Sequence, residues 1–538
     1  MKDEQIVGEA LAKVLPAYGK PWWKIRHLRV LNLILLVPLL SSVVGGYDGS
    51  VFRVSSHSFV AKSFPASLVN GIQSTDAWKA KFGNPSGARL GFVTASQSMG
   101  SIAVLPFVPA LADKVGRKPT ILSGIIVVVI ASAIMAASVN YAMLIISRVT
   151  VGIGGTLLTQ PSPMLISELC YPTHRGKYTS LYWTTFYLGA FLAAWTTFGA
   201  QKHFPKSNWA WRIPSILQAG CPIVQLCFIW AIPESPHWLI ENGRIDKARQ
   251  ILIRFHAGGS PAPAHDLIEF EIQEIIRSLE IQHKTRSTDW STLVATPGNR
   301  RRTLITVCLG CTAMWNGITV CNSYLTLVLD SVGVTSADIQ TLINGLLQLF
   351  NLLVAVGGAF MVDRLGRRTL FLWSGVGMLL CFVSLTACAG VFNRAPDANH
   401  SAAIAVIVFI FLYFFHYDIA YTPLLFGYTT EILPYTIRAK GLTVQMFVFY
   451  SSLIILSFVN PIGLKNIGWH YYIVSDGLIL LTVIISYLLF IETRGYTVEN
   501  LAQIFDGTSD GSCGKTPVRV AEKTSGRQSD QATDAESI

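Results

Sequence analysis

The sequence predicts an all-α integral membrane protein with twelve transmembrane helices in two pseudo-symmetric six-helix bundles. Three observations lead to this prediction. The chain of 538 residues is 51% hydrophobic and only 14% charged, whereas a typical soluble domain is about 25% charged. Long apolar segments follow one another along the chain, and the charged motifs after them recur in the same order in both halves. This composition excludes a soluble multidomain enzyme, a disordered scaffold and a disulfide-rich secreted module.

The apolar segments are numbered here as spans 1 to 12 in chain order. Each is close to the roughly 20 residues that a helix needs to cross the hydrocarbon core of a bilayer. Their approximate cores are 30–50, 90–112, 119–139, 141–165, 178–199, 211–231, 303–329, 340–362, 369–390, 402–425, 440–462 and 471–491.

The polar stretches between the spans divide the chain into five expected parts. The longest stretch lies between spans 6 and 7, and its amphipathic run from Asp266 to Ile281 predicts a helix. Beyond about Gly507 the chain has few apolar residues, so disorder is expected. The parts are a leader (1–29), an N-terminal bundle (30–231), a linker (232–302), a C-terminal bundle (303–491) and a mostly disordered tail (492–538).

Lysine and arginine residues are concentrated in short runs beside the spans. These runs lie before span 1 and after spans 2, 4, 6, 8 and 10, as expected of cytoplasmic loops that face anionic lipid. We therefore expect a multi-pass protein in a lipid bilayer with both termini in the cytoplasm, and the net charge of +11 does not indicate nucleic-acid binding. The sequence has neither a P-loop nor an HExxH motif, and we expect no enzyme activity, cofactor or metal.

Three charged motifs recur after corresponding spans of the two halves. The first pairs an aspartate with an arginine four residues later, the second pairs a glutamate with an arginine seven residues later, and the third is a glutamate after the last span. The members are Asp113, Arg117, Glu168, Arg175 and Glu234 in the first half, and Asp363, Arg367, Glu431, Arg438 and Glu492 in the second. We predict a cytoplasmic gate whose ion pairs hold the halves together and break on inward opening; the alternative is that the basic residues only anchor the loops inside.

These motifs resemble those of the major facilitator superfamily and of its sugar porter family. The segment from Asp113 to Lys118 and its copy are similar to the loop motif of the superfamily, and the segments beginning at Glu234 and Glu492 are similar to sugar porter motifs. The sequence around Glu431 resembles fungal lactose permease, cellodextrin and hexose transporters. The resemblance covers about residues 25–505, and it departs from the family at Pro109 and at His237, where a glycine and an arginine are usual.

The resemblance implies transport of a sugar or sugar-like solute by alternating access in a monomer of the plasma membrane. Asp48 lies among glycines near the end of span 1, at a depth where a carboxylate costs roughly 2.5–3.5 kcal/mol. The family places a proton-accepting aspartate here and an arginine, matched by Arg148 in span 4, close to it. We expect proton coupling through this pair; a static salt bridge in a facilitator is the alternative. Asp418 in span 10 is a second acid within a span.

The candidate solute contacts also follow from the resemblance. Asn351 and Phe426 match the asparagine of span 8 and the aromatic residue of span 10 in the family, whereas Trp183 stands where a glutamine is usual. The other candidates are Thr319, Asn322 and Gln348, with Gln97, Tyr324 and Tyr421 as further polar positions; each can equally be a contact between helices. This set has few amides and many aromatic rings, which favours a disaccharide, a glycoside or a less polar polyol over plain glucose.

Two alternatives to proton symport stay open from the sequence. One is an uncoupled facilitator, and the other is a nutrient sensor of the same fold that signals without transport. A sensor of that kind is expected to have a long cytoplasmic tail, and the stretch after about Gly507 is short, which favours transport.

Residues 51–66 have no counterpart in the family and follow directly after Asp48. They are either an enlarged extracellular loop or a short retained intron that has been translated. The glycosylation motif at Asn399, between spans 9 and 10, is expected outside the cell.

Overall fold

A computed structural model describes most of the chain. The described residues are 14, 16, 22–48, 76–83, 87–205, 207–259, 264–286, 290–323, 325, 328, 329, 333, 336–394, 400–493 and 505. Residues 51–66, Asn399 and almost all of the tail lie outside this set, so the predictions made for them stay predictions.

All twelve predicted spans are helical. In the first half, the helices are Arg26–Ile34 with Leu36–Asp48 (span 1), Ala88–Val104 with Phe107–Val115 (span 2), Arg117–Ala136 (span 3), Tyr141–Thr159 with Pro161–Leu169 (span 4), Arg175–His203 (span 5), and Trp209–Leu217 with Gly220–Phe228 (span 6). In the second half they are Pro297–Trp315 with Ile318–Ser323 (span 7), Ala337–Leu365 (span 8), Arg367–Arg394 (span 9), His400–Ile432 (span 10), Tyr435–Ile467 (span 11) and Tyr471–Leu489 (span 12).

The lengths and the hydropathies of these helices agree with this assignment. Within the described chain nine helical stretches are long and apolar enough to cross a membrane, and the two helices of span 2, bent by 51°, form a tenth. One of the nine, Lys440–Leu489, has 50 residues, or roughly 75 Å of helix, more than twice the thickness of the hydrocarbon core. It contains spans 11 and 12, with a 3-10 turn at Gly468–His470 between them. Span 5 is 29 residues long and completes the twelve.

The helices pack with the same pattern in both halves. In the first half span 1 packs on span 5, span 4 on spans 2 and 3, and span 6 on spans 1 and 3. In the second half span 7 packs on span 11, span 10 on spans 8 and 9, and span 12 on spans 7 and 9. The halves meet where span 5 packs on span 8 and where span 2 packs on span 11. Adding six to each span number converts one set into the other, which is the two-fold relation of a duplicated bundle.

Glycines allow the closest helix contacts in the first bundle. A Cβ atom on Gly46 of span 1 would overlap the backbone carbonyl of Phe186, and one on Gly189 of span 5 would overlap that of Val43. Spans 2 and 4 meet in the same reciprocal way at Gly100 and Gly152. Small residues at such crossings let backbones approach when lipid provides no hydrophobic drive for association.

The linker between the bundles packs against the first bundle at the end of span 4. Its helices are Pro236–Glu241, Ile245–His256, His265–Arg286 and Thr292–Ala295. Phe255, Leu267 and Ile268 belong to one buried cluster with Leu169 and Tyr171, at the end of span 4. The amphipathic helix predicted from Asp266 is therefore present, with its apolar face on the N-terminal bundle.

Candidate solute and proton site

Asp48 is the last residue of the span 1 helix and is almost fully buried. Its Oδ1 accepts a hydrogen bond of 2.9 Å from the side-chain amide of Gln218 in span 6, and its Oδ2 accepts one from the amide of Gln97 in span 2. Three helices of the first bundle therefore converge on one carboxylate. A buried carboxylate stays ionised in a low-dielectric site only when hydrogen bonds or a counter-charge stabilise its charged form.

Arg148 contacts this carboxylate mainly through Gln97. Its Nη2 donates to the side-chain oxygen of Gln97 at 2.7 Å, and its Nε donates to the carbonyl oxygen of Val93 at 3.0 Å. The closest approach of the guanidinium to Asp48, from Nη1 to Oδ1, is 4.0 Å. Asp48 and Arg148, expected from the sequence to lie close together, are 4.0 Å apart, and Gln97 bridges them.

A small cavity lies beside the carboxylate. It has a volume of about 10 Å³ and is lined by Asp48, Gln97, Ser101 and Thr159, among others, which is about the space that one water molecule occupies. The hydroxyl of Ser101 donates to the carbonyl of Gly152, and that of Thr159 donates to the carbonyl of Gly155. The site can thus hold a water molecule beside the Asp48 carboxylate.

Asn351 and Gln348 lie on one face of span 8 and are buried. Within the described chain, neither polar atom of the Asn351 side chain has a hydrogen-bond partner, and the side-chain oxygen of Gln348 has none. Leaving such a buried group unpaired costs about 1–3 kcal/mol. These amides are therefore suited to bind the hydroxyl groups of a solute.

A break in span 7 supplies another amide, which the sequence analysis did not choose. The span 7 helix stops at Trp315 and resumes at Ile318, because Gly317 adopts a φ of +88° with the ring of Phe382 where a Cβ would lie. Asn316 is fully buried at the break, and its side-chain nitrogen has no partner among the described residues. Discontinuous helices of this kind line the solute sites of many transporters; the Asn-Gly pair within an apolar span was the signal for it.

The other candidate solute residues have different surroundings. Thr319 accepts a hydrogen bond of 2.9 Å from the side chain of Asn460, which in turn accepts one of 2.7 Å from the hydroxyl of Tyr471. Thr319 is thus part of a contact between helices. Asn322 is buried. The side chains of Trp183 and Phe426 lie outside the described part of the structure, and their solute contacts stay predictions.

The charged motifs of the first half form one cluster where span 2 ends and span 3 begins. Arg117 lies 3.4 Å from Asp113 and 3.5 Å from Glu168. The carboxylate of Glu234 accepts hydrogen bonds from the backbone N–H groups of Arg117 at 3.1 Å and Lys118 at 3.3 Å, and so caps span 3. Burial raises the pKa of the Glu234 carboxyl, although these hydrogen bonds oppose that change.

The second bundle repeats this cluster. Arg367 lies 3.0 Å from Glu431, and Glu492 accepts hydrogen bonds from the backbone N–H groups of Arg367 and Arg368, at 2.8 and 3.1 Å. A hydroxyl group contacts the central glutamate in each half, from Ser235 to Glu168 and from Thr493 to Glu431.

The structure describes part of the expected gate. The ion pairs that the structure describes among these motifs join helices of the same half, so the expected bridge between the halves stays a prediction. Burial lowers the pKa of His237, and a neutral imidazole does not replace the charge of the usual arginine. Arg175 is exposed and Arg438 is partly buried, and the side chain of Asp363 lies outside the described residues.

The fold and the site define the class of protein. Two six-helix bundles related by two-fold pseudo-symmetry, with a buried acid and buried amides inside them, form a secondary transporter of the major facilitator superfamily. Residues 34–505 match the model of the family described as "Sugar (and other) transporter". The chain belongs to this family. It is a multi-pass membrane protein and not an enzyme.

Characterised relatives and solved structures agree with this assignment. The chain is 30% identical over 429 residues to the MFS-type transporter oryC of Aspergillus oryzae, which covers 77% of each chain. It is 27% identical over 411 residues to the low-affinity glucose transporter HXT1 of Saccharomyces cerevisiae, covering 73% of this chain and 69% of the relative. The inward-open structure of the xylose transporter XylE from E. coli matches the fold with a TM-score of 0.70 and 21% identity, over 88% of this chain and 99% of that one.

Proposed function

We propose that this protein is a symporter that moves a proton together with an uncharged sugar or sugar-like solute. The observation that carries the proposal is the buried carboxylate of Asp48, held by Gln97 and Gln218, with Arg148 within 4.0 Å and a water-sized cavity beside it. A static structural salt bridge needs no such cavity.

The coupling follows from the charge of this carboxylate. Ionised Asp48 attracts Arg148 and accepts hydrogen bonds from spans 2 and 6. Protonation removes the charge and weakens these interactions together, so span 1 becomes freer to move against spans 2, 4 and 6. Proton binding thereby biases the equilibrium between conformations in which the central site faces opposite sides of the membrane.

The solute class follows from the unpaired amides. Asn351, Gln348 and Asn316 present buried hydrogen-bonding atoms, and aromatic rings of span 10 pack nearby against span 8, as where Phe350 meets Phe411 at 5.5 Å. Polar groups in an aromatic setting suit a polyhydroxylated ring. A relative is named a glucose transporter and a matching structure a xylose transporter, which supports a sugar. The many aromatic positions lead us to favour a disaccharide or glycoside.

The location and topology belong to the same proposal. We infer a plasma-membrane monomer with both termini in the cytoplasm, divided as the polar stretches of the sequence suggest. The charged clusters beneath the bundles would then lie on the cytoplasmic side, where a gate between the halves would operate.

Uptake in a yeast strain without sugar transporters tests the proposal. The panel contains D-glucose, D-xylose, lactose, cellobiose and glycerol, each measured with and without a protonophore. We expect concentrative uptake of at least one sugar, abolished by the protonophore. Sugar uptake that only equilibrates and resists the protonophore would indicate a facilitator, and absence of all uptake from a chain that reaches the plasma membrane would contradict sugar transport.

A further inference from the structure

Four amide side chains lie in one line along span 8. They belong to Gln340, Asn344, Gln348 and Asn351, and all four are buried. Successive members are four, four and three residues apart, which places them on one face of the helix. At 1.5 Å per residue the line is roughly 16 Å long. Asn351 and Gln348 are the candidate solute amides described above, and the other two extend the line toward the start of span 8.

The line of amides faces the interior of the molecule, between spans 5 and 10. Phe350 of span 8 meets Phe411 of span 10 at 5.5 Å. A Cβ added to Gly345 would lie 3.4 Å from Nε1 of Trp195 in span 5. At about 100° per residue, the amides point between these two directions. Leu353 points to the opposite side and is 65% exposed, as expected of a residue that faces lipid.

Span 5 forms the opposing wall with short side chains and one further amide. Tyr187 donates to Oδ1 of Asp418 in span 10 at 2.5 Å, so this face of span 5 is directed toward the second half. Ala190, Ala194 and Gln201 follow Tyr187 by three, seven and fourteen residues, the spacing of one helix face. All three are buried. The side-chain oxygen of Gln201 has no hydrogen-bond partner among the described residues.

The contact between Trp195 and Gly345 sets the relative height of the two walls. Spans 5 and 8 run in opposite directions, as an odd and an even span do. Gln201 lies six residues after Trp195, and Gln340 lies five residues before Gly345. Both amides are therefore roughly 8–9 Å beyond the contact, on the same side of it. Asn344 is next to Gly345, opposite the short alanine side chains of span 5.

We propose that Gln340, Asn344 and Gln201 form a second solute subsite, which binds the second ring of a disaccharide. The inference rests on the proposed transport of a sugar, whose first ring binds at Asn351 and Gln348. Each amide offers a donor and an acceptor to sugar hydroxyls, and a single pyranose ring is too short to reach both ends of the line. The subsite has members from both halves, so it becomes accessible when spans 5 and 8 separate at this end.

Uptake kinetics of Asn344→Ala in the yeast strain test this assignment, with lactose, cellobiose and D-glucose as probes. The affinity for a sugar that is not itself taken up is measured as its inhibition constant. For the wild type we expect at least tenfold higher affinity for one disaccharide than for D-glucose. Asn344→Ala should raise the KM of that disaccharide at least tenfold and leave the value for D-glucose nearly unchanged, because only contacts to the second ring are lost.

Gln201→Ala tests the same subsite from the other half. It should also raise the KM of the disaccharide selectively, and this effect cannot come from altered packing of span 8 side chains. Gln225→Ala is the matched control, because this buried amide of the first half donates to Ser41 at 2.8 Å within its own half. The control should leave the ratio of the two affinities at the wild-type value.

Two outcomes would overturn the assignment and leave sugar transport intact. The first is that Asn344→Ala or Gln201→Ala, in protein that reaches the membrane, changes the affinities for the disaccharide and for D-glucose by the same factor or changes neither; Gln201→Ala decides if Asn344→Ala fails to reach the membrane. The second is that the wild type takes up a monosaccharide and neither transports nor is inhibited by lactose or cellobiose. Absence of all sugar uptake would contradict the proposed function as well.

Discussion

At the residue scale, Gln97 is the side chain on which the buried network of the first bundle depends. It donates to Asp48 and accepts from Arg148, so it orients two charges that lie 4.0 Å apart. An amide can do both because its nitrogen donates while its oxygen accepts. Of the two charged residues, Asp48 and Arg148, Gln218 contacts only Asp48 in the described structure. It is therefore the matched control for Gln97.

Replacing Gln97 with Ala should impair coupling more than replacing Gln218 with Ala. The first change leaves both Asp48 and Arg148 with an unmade hydrogen bond, each costing about 1–3 kcal/mol, whereas the second affects Asp48 alone. We expect Gln97→Ala to show the larger loss of thermal stability in detergent and the larger loss of uphill accumulation. Equal effects of the two variants would argue against a bridging role for Gln97.

At the element scale, the crossing of spans 1 and 5 requires glycine at position 46 and tolerates a larger residue at position 45. Gly46→Ala would place a methyl group onto the carbonyl of Phe186. In Gly45→Ala the methyl group would lie 3.6 Å from its nearest neighbour, Cγ2 of Thr159. Overpacking typically costs 1–3 kcal/mol. We expect Gly46→Ala to lower the melting temperature and the surface level, with Gly45→Ala close to wild type. A Gly46→Ala protein as stable as wild type would contradict the described crossing.

A buried ion pair joins two helices of the linker and contacts the end of span 4 in the first bundle. Nδ1 of His256 lies 2.9 Å from Glu271, and its Nε2 lies 3.2 Å from the carbonyl of Leu169 at the end of span 4. Burial lowers the pKa of His256, but the charge and hydrogen bonds of Glu271, with the Leu169 carbonyl, outweigh burial and raise it. A raised pKa in the folded state stabilises the fold below the unfolded value of about 6.5, and this stabilisation is lost as the pH rises through the folded value.

The stability of the protein should therefore fall as the pH rises above about 6.5, and the variant His256→Gln should lack this fall. Melting temperatures of the purified protein in detergent at several pH values measure this. His265→Gln is the control, since that side chain is exposed and its loss should leave the pH dependence of the wild type. A wild-type slope that persists in His256→Gln would show that the pair does not titrate in this range.

At the scale of the whole molecule, the duplication is visible in both packing and chemistry. The pattern of helix contacts and the capping of spans 3 and 9 by Glu234 and Glu492 are the same in the two bundles. The glycines of both loops have positive φ, +117° at Gly116 and +88° at Gly366, because the turn into the next helix needs a left-handed backbone. Each half thus forms a unit with its own helix packing and its own capped loop.

The sequence predicted the parts of this account that depend on local pattern. Span length, basic loops and repeated motifs are read within short windows, so the twelve helices could be foreseen and the charged motifs could be located along the chain. The bridge from Gln97 to Asp48 and the bond from Tyr187 to Asp418 join residues 49 and 231 positions apart, and nothing in a single sequence pairs them. The gate between the halves stays a prediction, and so do the solute contacts of Trp183 and Phe426, whose side chains lie outside the described residues.

The most direct test of the account is solute-induced proton flux in proteoliposomes that contain the wild type or Asp48→Asn. Adding the transported sugar outside wild-type vesicles should make the external medium more alkaline, and an inward proton gradient should drive accumulation above equilibrium. Asp48→Asn should do neither, while solute exchange across the membrane continues, because the amides of spans 7 and 8 are untouched. Normal proton uptake and uphill accumulation by Asp48→Asn would contradict the claim that this carboxylate couples the proton to the solute.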